Sequence, residues 1–196
     1  MPRPSDGLRW RYSTAAGPVT VERARMDDAA ALVEIHRAVI REGGFFITEP
    51  DELDDSVEAR AAQIRLFSGM PNGVMLVARQ GGALVGMASL QGGNLRRMRH
   101  CARLEIFVAR EARGQGVGRA LMEACVRWAT ENPLITKLAL NVYAHNLRAI
   151  HLYESMGFLR EGYRPGEYRD ADGRYLDEVM MYRMVESQDQ LPEAFR

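Results

Sequence analysis

Cysteine is scarce in this 196-residue chain: only Cys101 and Cys125 occur, and no C-x-x-C spacing is present. Two thiols cannot staple a chain of this size and do not make a zinc ligand set, which excludes a disulfide scaffold and fits a reducing compartment. An excess of one charge is also missing, because 26 lysines and arginines face 26 acidic residues. There is no global field to attract nucleic acid or an anionic membrane. No apolar run approaches transmembrane length, and residues 1–18 mix Arg3, Asp6, Arg9 and Arg11 with prolines where a signal peptide would need an apolar core. His36, His100, His145 and His151 have no metal-ligand spacing with each other or with carboxylates, so no metal is expected. These absences point to a cytoplasmic protein without a nucleic-acid or membrane partner, and they leave a homodimer open.

What is present is 46% apolar residues, enough to bury the core of one domain but short for two. The expected layout is a loose N-terminal extension over 1–18, a domain over 19–185 and a polar tail over 186–196. Val19, Val21 and Ala24 open a strand pattern. Asp27 or Asp28 can then cap a helix with the stripe Leu32, Ile35 and Val39, stopped at Gly43-Gly44. A second helix is expected from Asp55, where Asp55 and Glu58 have capping-box spacing, burying Val57, Ala61 and Ile64. Gly73 to Arg79 and Leu84 to Leu90 read as a hairpin around Gly81-Gly82, and a further turn near Gly92-Gly93-Asn94 leads to a strand ending at Val108. Val117, Ala120, Leu121, Ala124, Cys125 and Trp128 recur at helical spacing, with Glu123 and Arg127 correctly ordered for pairing. A strand over 137–143, a helix from Asn146 to Met156 and a hairpin at Asp172-Gly173 follow. The order gives a mixed α/β fold, with a largely antiparallel sheet and about four flanking helices.

Arg113-Gly114-Gln115-Gly116-Val117-Gly118 lies between a strand and the strongest helix. Main-chain N–H groups of a glycine turn, joined to the unpaired N–H groups and positive dipole end of a helix, form a concave anion site suited to a pyrophosphate. A Walker loop would need Gly-Lys-Ser/Thr where Gly118-Arg119-Ala120 stands. A dinucleotide fingerprint would need a sixth-position glycine where Arg119 stands. Taken alone, the segment is equally an ordinary tight turn.

Arg113-x-x-Gly116-x-Gly118 resembles the Q/R-x-x-G-x-G/A signature of the GNAT N-acetyltransferase superfamily. Asn146-x-x-Ala149-x-x-Leu152-Tyr153-x-x-x-Gly157-Phe158 resembles its second signature. The resemblance runs from about Val19 to Val185. It implies the GNAT fold, with a sheet splayed between its fourth and fifth main strands, and acetyl-CoA as cosubstrate for an amine acceptor. It implies that Ile106, Phe107 and Val108 offer main-chain groups to the pantetheine arm. Arg113, Gly114, Gln115, Gly116, Val117, Gly118 and Arg119 would bind the pyrophosphate, Asn146 would reach the pantetheine or nearby ordered water by its side-chain amide, and Tyr153 would face the sulfur.

The implied chemistry is direct transfer, in which a neutral amine attacks the thioester carbonyl and the thiolate leaves without a covalent enzyme intermediate. Tyr153 is the candidate acid and Glu105 the candidate base. Each has a plain alternative: Tyr153 packs beside Leu152 and Met156, and Glu105 pairs across the sheet. Phe45 and Phe46 are read either as an acceptor wall, as in relatives, or as an apolar plug. A noncatalytic acyl-CoA-binding module is the competing function.

Overall fold

A computed structural model describes residues 7–53 and 56–185. The elements in chain order are β1 (Arg9–Thr14), β2 (Gly17–Arg23), α1 (Ala29–Arg41), α2 (Val57–Gly69), β3 (Gly73–Gln80), β4 (Ala83–Gly92), β5 (Cys101–Val108), α3 (Val117–Glu131), β6 (Lys137–Tyr143), α4 (Leu147–Ser155), β7 (Leu159–Arg169) and β8 (Tyr175–Met184). The eight strands form one sheet in the order β1-β2-β3-β4-β5-β6-β8-β7, antiparallel throughout except for the β5–β6 pair.

The continuous apolar run of β3 sorts itself by strand alternation. Val74, Leu76 and Ala78 pack with Val117, Ala120, Leu121, Ala124 and Cys125 of α3. Met75 and Val77 point the other way, against Leu32 and Val39 of α1 and Ile64 and Phe67 of α2. Both faces of the central strands are thus covered by helices, which is why this segment has no polar side. Among the described residues no helix is long and apolar enough to cross a membrane.

The N-terminal expectation needs correction. Residues 9–14 are not a loose extension but a strand, β1, paired to β2 from Arg9↔Glu22 to Thr14↔Gly17. Trp10 and Tyr12 alternate inward onto the α3 side of the core while Arg9 and Arg11 face water. The expected Glu123–Arg127 pair is also replaced, for Arg127 lies over the Trp10 ring at 5.7 Å and pairs with Glu131 at 3.0 Å. Glu123 instead raises the Tyr12 phenol, which burial has already pushed up, to about 12. Ser56 caps α2, its hydroxyl accepting from the Ala59 amide at 3.1 Å. Asp55, the expected cap, lies outside the described residues, as does the tail over 186–196.

The feature that creates a site is the short β5–β6 pairing. It covers Cys101↔Lys137, Ala102↔Leu138 and Arg103↔Ala139, after which the two strands part.

Candidate active site

Where β5 and β6 separate, the sheet opens into a cleft of about 1020 Å³, lined from Ser89 and Arg103 at one end to Gly114, Gly118 and Leu152 at the other. Main-chain groups alternate along β5. The Ala109 amide donates to Val85 on β4 at 2.9 Å, and the His100 carbonyl accepts from Thr136 and Lys137 on the β6 side. The amide and carbonyl groups of Leu104, Ile106 and Val108 therefore face the gap, where the parted β6 no longer pairs with them. Phe107 departs from the expectation: its main chain faces β4, and its ring stacks on His36 at 4.9 Å in the core. An extended chain with amide groups would find along Leu104 and Ile106, and at the Val108 amide, the free edge that β-augmentation uses, the Val108 carbonyl being taken by Arg113.

At the far end, Gly114 and Gly116 adopt φ values of +79° and +85°. Gly116 is the N-cap of α3 and supplies no capping side chain, which leaves the first-turn N–H groups of the helix available to an anion. A Cβ on Gly116 would also approach Thr14 Cγ2 to 3.0 Å, so β1 presses on this turn from behind. Gly118 has a different reason to be small, since its Cβ would meet Leu152 Cδ2 at 3.3 Å where α3 and α4 cross. Gln115 and Val117 do not line the cleft. The Gln115 amide donates to the Glu111 carbonyl at 2.6 Å, and Val117 is buried in the core.

The arginines are distributed differently from the sequence expectation. Arg113 does not hold its guanidinium out to the glycine turn. Its Nε donates to the Val108 carbonyl at 2.9 Å, and its two terminal nitrogens grip the Glu42 carboxylate at 2.6 and 3.0 Å. Arg119 lines the cleft mouth and donates to Ser155 Oγ at 3.0 Å. Arg148, not singled out from the sequence, lines the same mouth, with Nη2 3.6 Å from the Cβ position of Gly114. Its place two residues beyond the α4 cap Asn146 was the available signal.

Asn146 caps α4, its Oδ1 accepting from the Ala149 amide at 3.2 Å, and it borders the cleft. Tyr153 lines the cleft from α4, and its ring packs on Phe158 at 6.1 Å. Its hydroxyl has no hydrogen-bond partner among the described residues, and burial pushes the phenol up to about 12.

The wider end of the cleft carries the polar groups. Glu105 and Arg103 lie two residues apart on one face of β5, opposite Ser89 and Gln91 of β4. Glu105 makes no ion pair or side-chain hydrogen bond among the described residues, so the cross-sheet pairing is not seen. Glu105 is exposed to the open cleft, but the protein around it partly desolvates its carboxyl and raises it above the usual range, and the Arg60 cation draws it part of the way back. Arg60 itself is buried behind the site, donating to His36 Nδ1 at 2.8 Å and to Gln63 Oε1 at 2.7 Å. Glu178, a second carboxylate, is 1% exposed and fully engaged. Asn141 donates to it at 2.9 Å, Arg164 at 3.1 Å and the Tyr168 hydroxyl at 2.5 Å. Its availability decides between them: Glu105 can take a proton from a ligand, whereas Glu178 is fixed.

Phe45, Phe46, Ile47 and Thr48 close this end as a wall, tied by the Tyr143 hydroxyl to the Phe46 carbonyl at 3.1 Å. Partial burial raises the Cys101 thiol, which disfavours the thiolate that a nucleophile needs. No cluster of metal-ligating side chains occurs among the described residues.

A sequence model of the Acetyltransferase (GNAT) family matches residues 38–158. The phosphinothricin N-acetyltransferase of Alcaligenes faecalis is 30% identical over 176 residues, covering 89% of this chain and 87% of that protein. A GNAT-family acetyltransferase from Streptococcus pneumoniae superposes with a TM-score of 0.81 at 25% identity, over 85% of this chain and 99% of that one. A phosphinothricin acetyltransferase from Sinorhizobium meliloti, solved in complex with acetyl-CoA, superposes with a TM-score of 0.78 at 25% identity, covering 89% and 92%.

Proposed function

The chain belongs to the GNAT family of acetyltransferases, and on that footing we propose that it acetylates the amino group of a small compound that also carries an acid group. It transfers the acetyl group of acetyl-CoA directly to an amine, a reading that the N-acetyltransferase relatives support, and turnover in the coenzyme A assay below separates it from a noncatalytic acyl-CoA-binding module. The acceptor class rests on one observation, the juxtaposition of Glu105 and Arg103 on the same face of β5 inside the cleft. Residues two apart on a strand are about 6–7 Å apart along it, a span that lets a carboxylate receive an ammonium proton while a guanidinium grips an acid group on the same small molecule. A polyamine would find Glu105 flanked by Arg103 and backed by Arg60, two cations that repel its second charge.

The site supports the following division of labour. The thioester arm lies along β5 and the pyrophosphate on the turn from Gly114 to Gly118, held by N–H groups that β6 and a capping side chain leave unused. Glu105 takes the ammonium proton, and its raised carboxyl holds that proton more firmly than an ordinary carboxylate would. The amine nitrogen attacks the carbonyl carbon, and a gap-facing β5 amide donates to the oxygen that gains charge. As the tetrahedral species collapses, the C–S bond breaks, the nitrogen gives up its second proton to water, from which the thiolate is reprotonated, and Tyr153 donates a hydrogen bond to the departing sulfur.

Coenzyme A release, measured with a panel, tests the acceptor class. The panel holds amino acids with a second acid group, phosphinothricin, plain alkylamines, spermidine and short peptides. Acid-bearing amines should show the highest kcat/KM. Arg103→Ala should raise KM for these alone by roughly 10- to 100-fold, the loss expected for a charged hydrogen-bonded contact. A wild-type preference for spermidine or an uncharged alkylamine overturns the assignment.

A further inference from the structure

We infer that Arg113 is a positioning residue, which ties the acceptor wall to the cofactor strand and does not bind the phosphates through its guanidinium. This rests on the proposed placement of the acceptor beside the wall of Phe45 and Phe46. The three guanidinium nitrogens are all committed: Nε to the Val108 carbonyl at 2.9 Å, the other two as a fork on Glu42 at 2.6 and 3.0 Å. The same group lies 5.3 Å over the Phe45 ring. Both members of the Arg113–Glu42 pair are about four-fifths shielded, with side-chain exposures of 21% and 18%, so solvent screens the fork less than it would a surface pair.

Glu42 caps the end of α1, and two left-handed glycines, Gly43 at φ +70° and Gly44 at φ +72°, lead directly from it into Phe45. Those glycines give the wall no stiffness of their own, so its position is set by what holds its root and its crest. Arg113 holds the root to the β5 side of the splay. The β6 side holds the crest: His145 Nε2 donates to the Gly44 carbonyl at 3.0 Å, and the Tyr143 hydroxyl donates to the Phe46 carbonyl at 3.1 Å. The wall therefore bridges both arms of the opening. A guanidinium is required at its root because only a planar fork can grip one carboxylate twice while also donating to a carbonyl.

The test compares Arg113→Ala, Arg113→Lys and Glu42→Gln in the full chain, with three readouts. These are acetyl-CoA affinity by calorimetry, acceptor KM and kcat, and hydrogen exchange over residues 43–48. All three variants should raise acceptor KM by roughly tenfold and speed exchange over 43–48, with kcat and acetyl-CoA affinity within about threefold of wild type. Combining Arg113→Ala with Glu42→Gln should add little, because both remove the same contact. Glu42→Gln guards against misfolding, since it changes one atom type and leaves Arg113 in place. If Arg113→Ala lowers acetyl-CoA affinity by roughly tenfold or more while Glu42→Gln leaves acceptor KM and exchange unmoved, the guanidinium serves the phosphates and the inference is wrong. Should no amine in the panel be acetylated, the reaction proposal fails, whereas exchange and cofactor affinity still decide the role of Arg113.

Discussion

Replacing Tyr153 with phenylalanine removes one oxygen from the cleft and leaves the ring, with its packing on Phe158, in place. Burial holds that phenol at about 12, whereas an ordinary thiol titrates near about 8.5. Complete transfer of the phenolic proton to a thiolate is thus uphill by about 3.5 units, on the order of 5 kcal/mol at about 1.36 kcal/mol per unit. The hydroxyl acts as a hydrogen-bond donor to the sulfur as charge builds there, not as a full proton donor. A hydrogen bond to a charged group contributes about 1.5–3 kcal/mol, which converts to a fall in kcat of roughly 10- to 150-fold. Because the charge develops only as the C–S bond breaks, acetyl-CoA affinity measured by calorimetry should stay within about threefold. The alkaline side of the pH–rate profile should be unchanged in the variant, since a phenol near 12 does not titrate in the working range. A kcat within about twofold of wild type, or a loss that falls equally on acetyl-CoA affinity, refutes the reasoning.

Glu105→Gln should move activity and stability in opposite directions. Its carboxyl is raised in the folded state, so the stability it contributes is fully present below the ordinary carboxylate value and is lost as pH rises through the raised one. At neutral pH the charged group therefore weakens the fold slightly, because solvent reaches this exposed side chain, and Glu105→Gln should unfold at a marginally higher temperature than wild type, with the gap closing in acid. Its turnover should fall by about 100-fold or more, with loss of the acidic limb of the rate profile; a variant that keeps this limb removes Glu105 as the base. Gly116→Ala forces a left-handed φ on alanine, at about 1–2 kcal/mol, and brings its Cβ against Thr14. Thermal unfolding should drop by roughly 3–8 °C. Adding Thr14→Ser, which removes the clashing methyl, should recover part of that loss but not all of it.

Much of the fold was legible because the pattern was strong. The α3 stripe, the Gly81-Gly82 hairpin and the order of elements follow from periodicity and turn chemistry, and every one of these elements is found. β1 was hidden by its own composition. It is an edge strand with arginines on its wet face, and the two residues of its turn, Ala15 and Ala16, carry no turn signal. The glycine turn and Tyr153 were legible as motifs, but the employment of Arg113 was not. Its partner Glu42 is 71 residues away, and no local rule links a loop arginine to the end of α1. The same holds for Glu178, fixed by Asn141 of β6 and by Arg164 and Tyr168 of β7, and for Arg60, whose role emerges only when α2 packs on α1 and brings its cation near Glu105. Sequence spacing reports neighbours along one element, while charge partners are set by packing between elements.

In the proposed complex, main-chain N–H groups from Gly114 to Gly118 hold the cofactor's diphosphate. This contact is tested most directly by titrating acetyl-CoA into the wild-type chain and into Gly116→Ala at a temperature where circular dichroism shows both folded. Wild type should bind one equivalent saturably, and Gly116→Ala should bind at least roughly tenfold more weakly. No binding heat from the wild type, or equal affinity in the two proteins, would contradict the account.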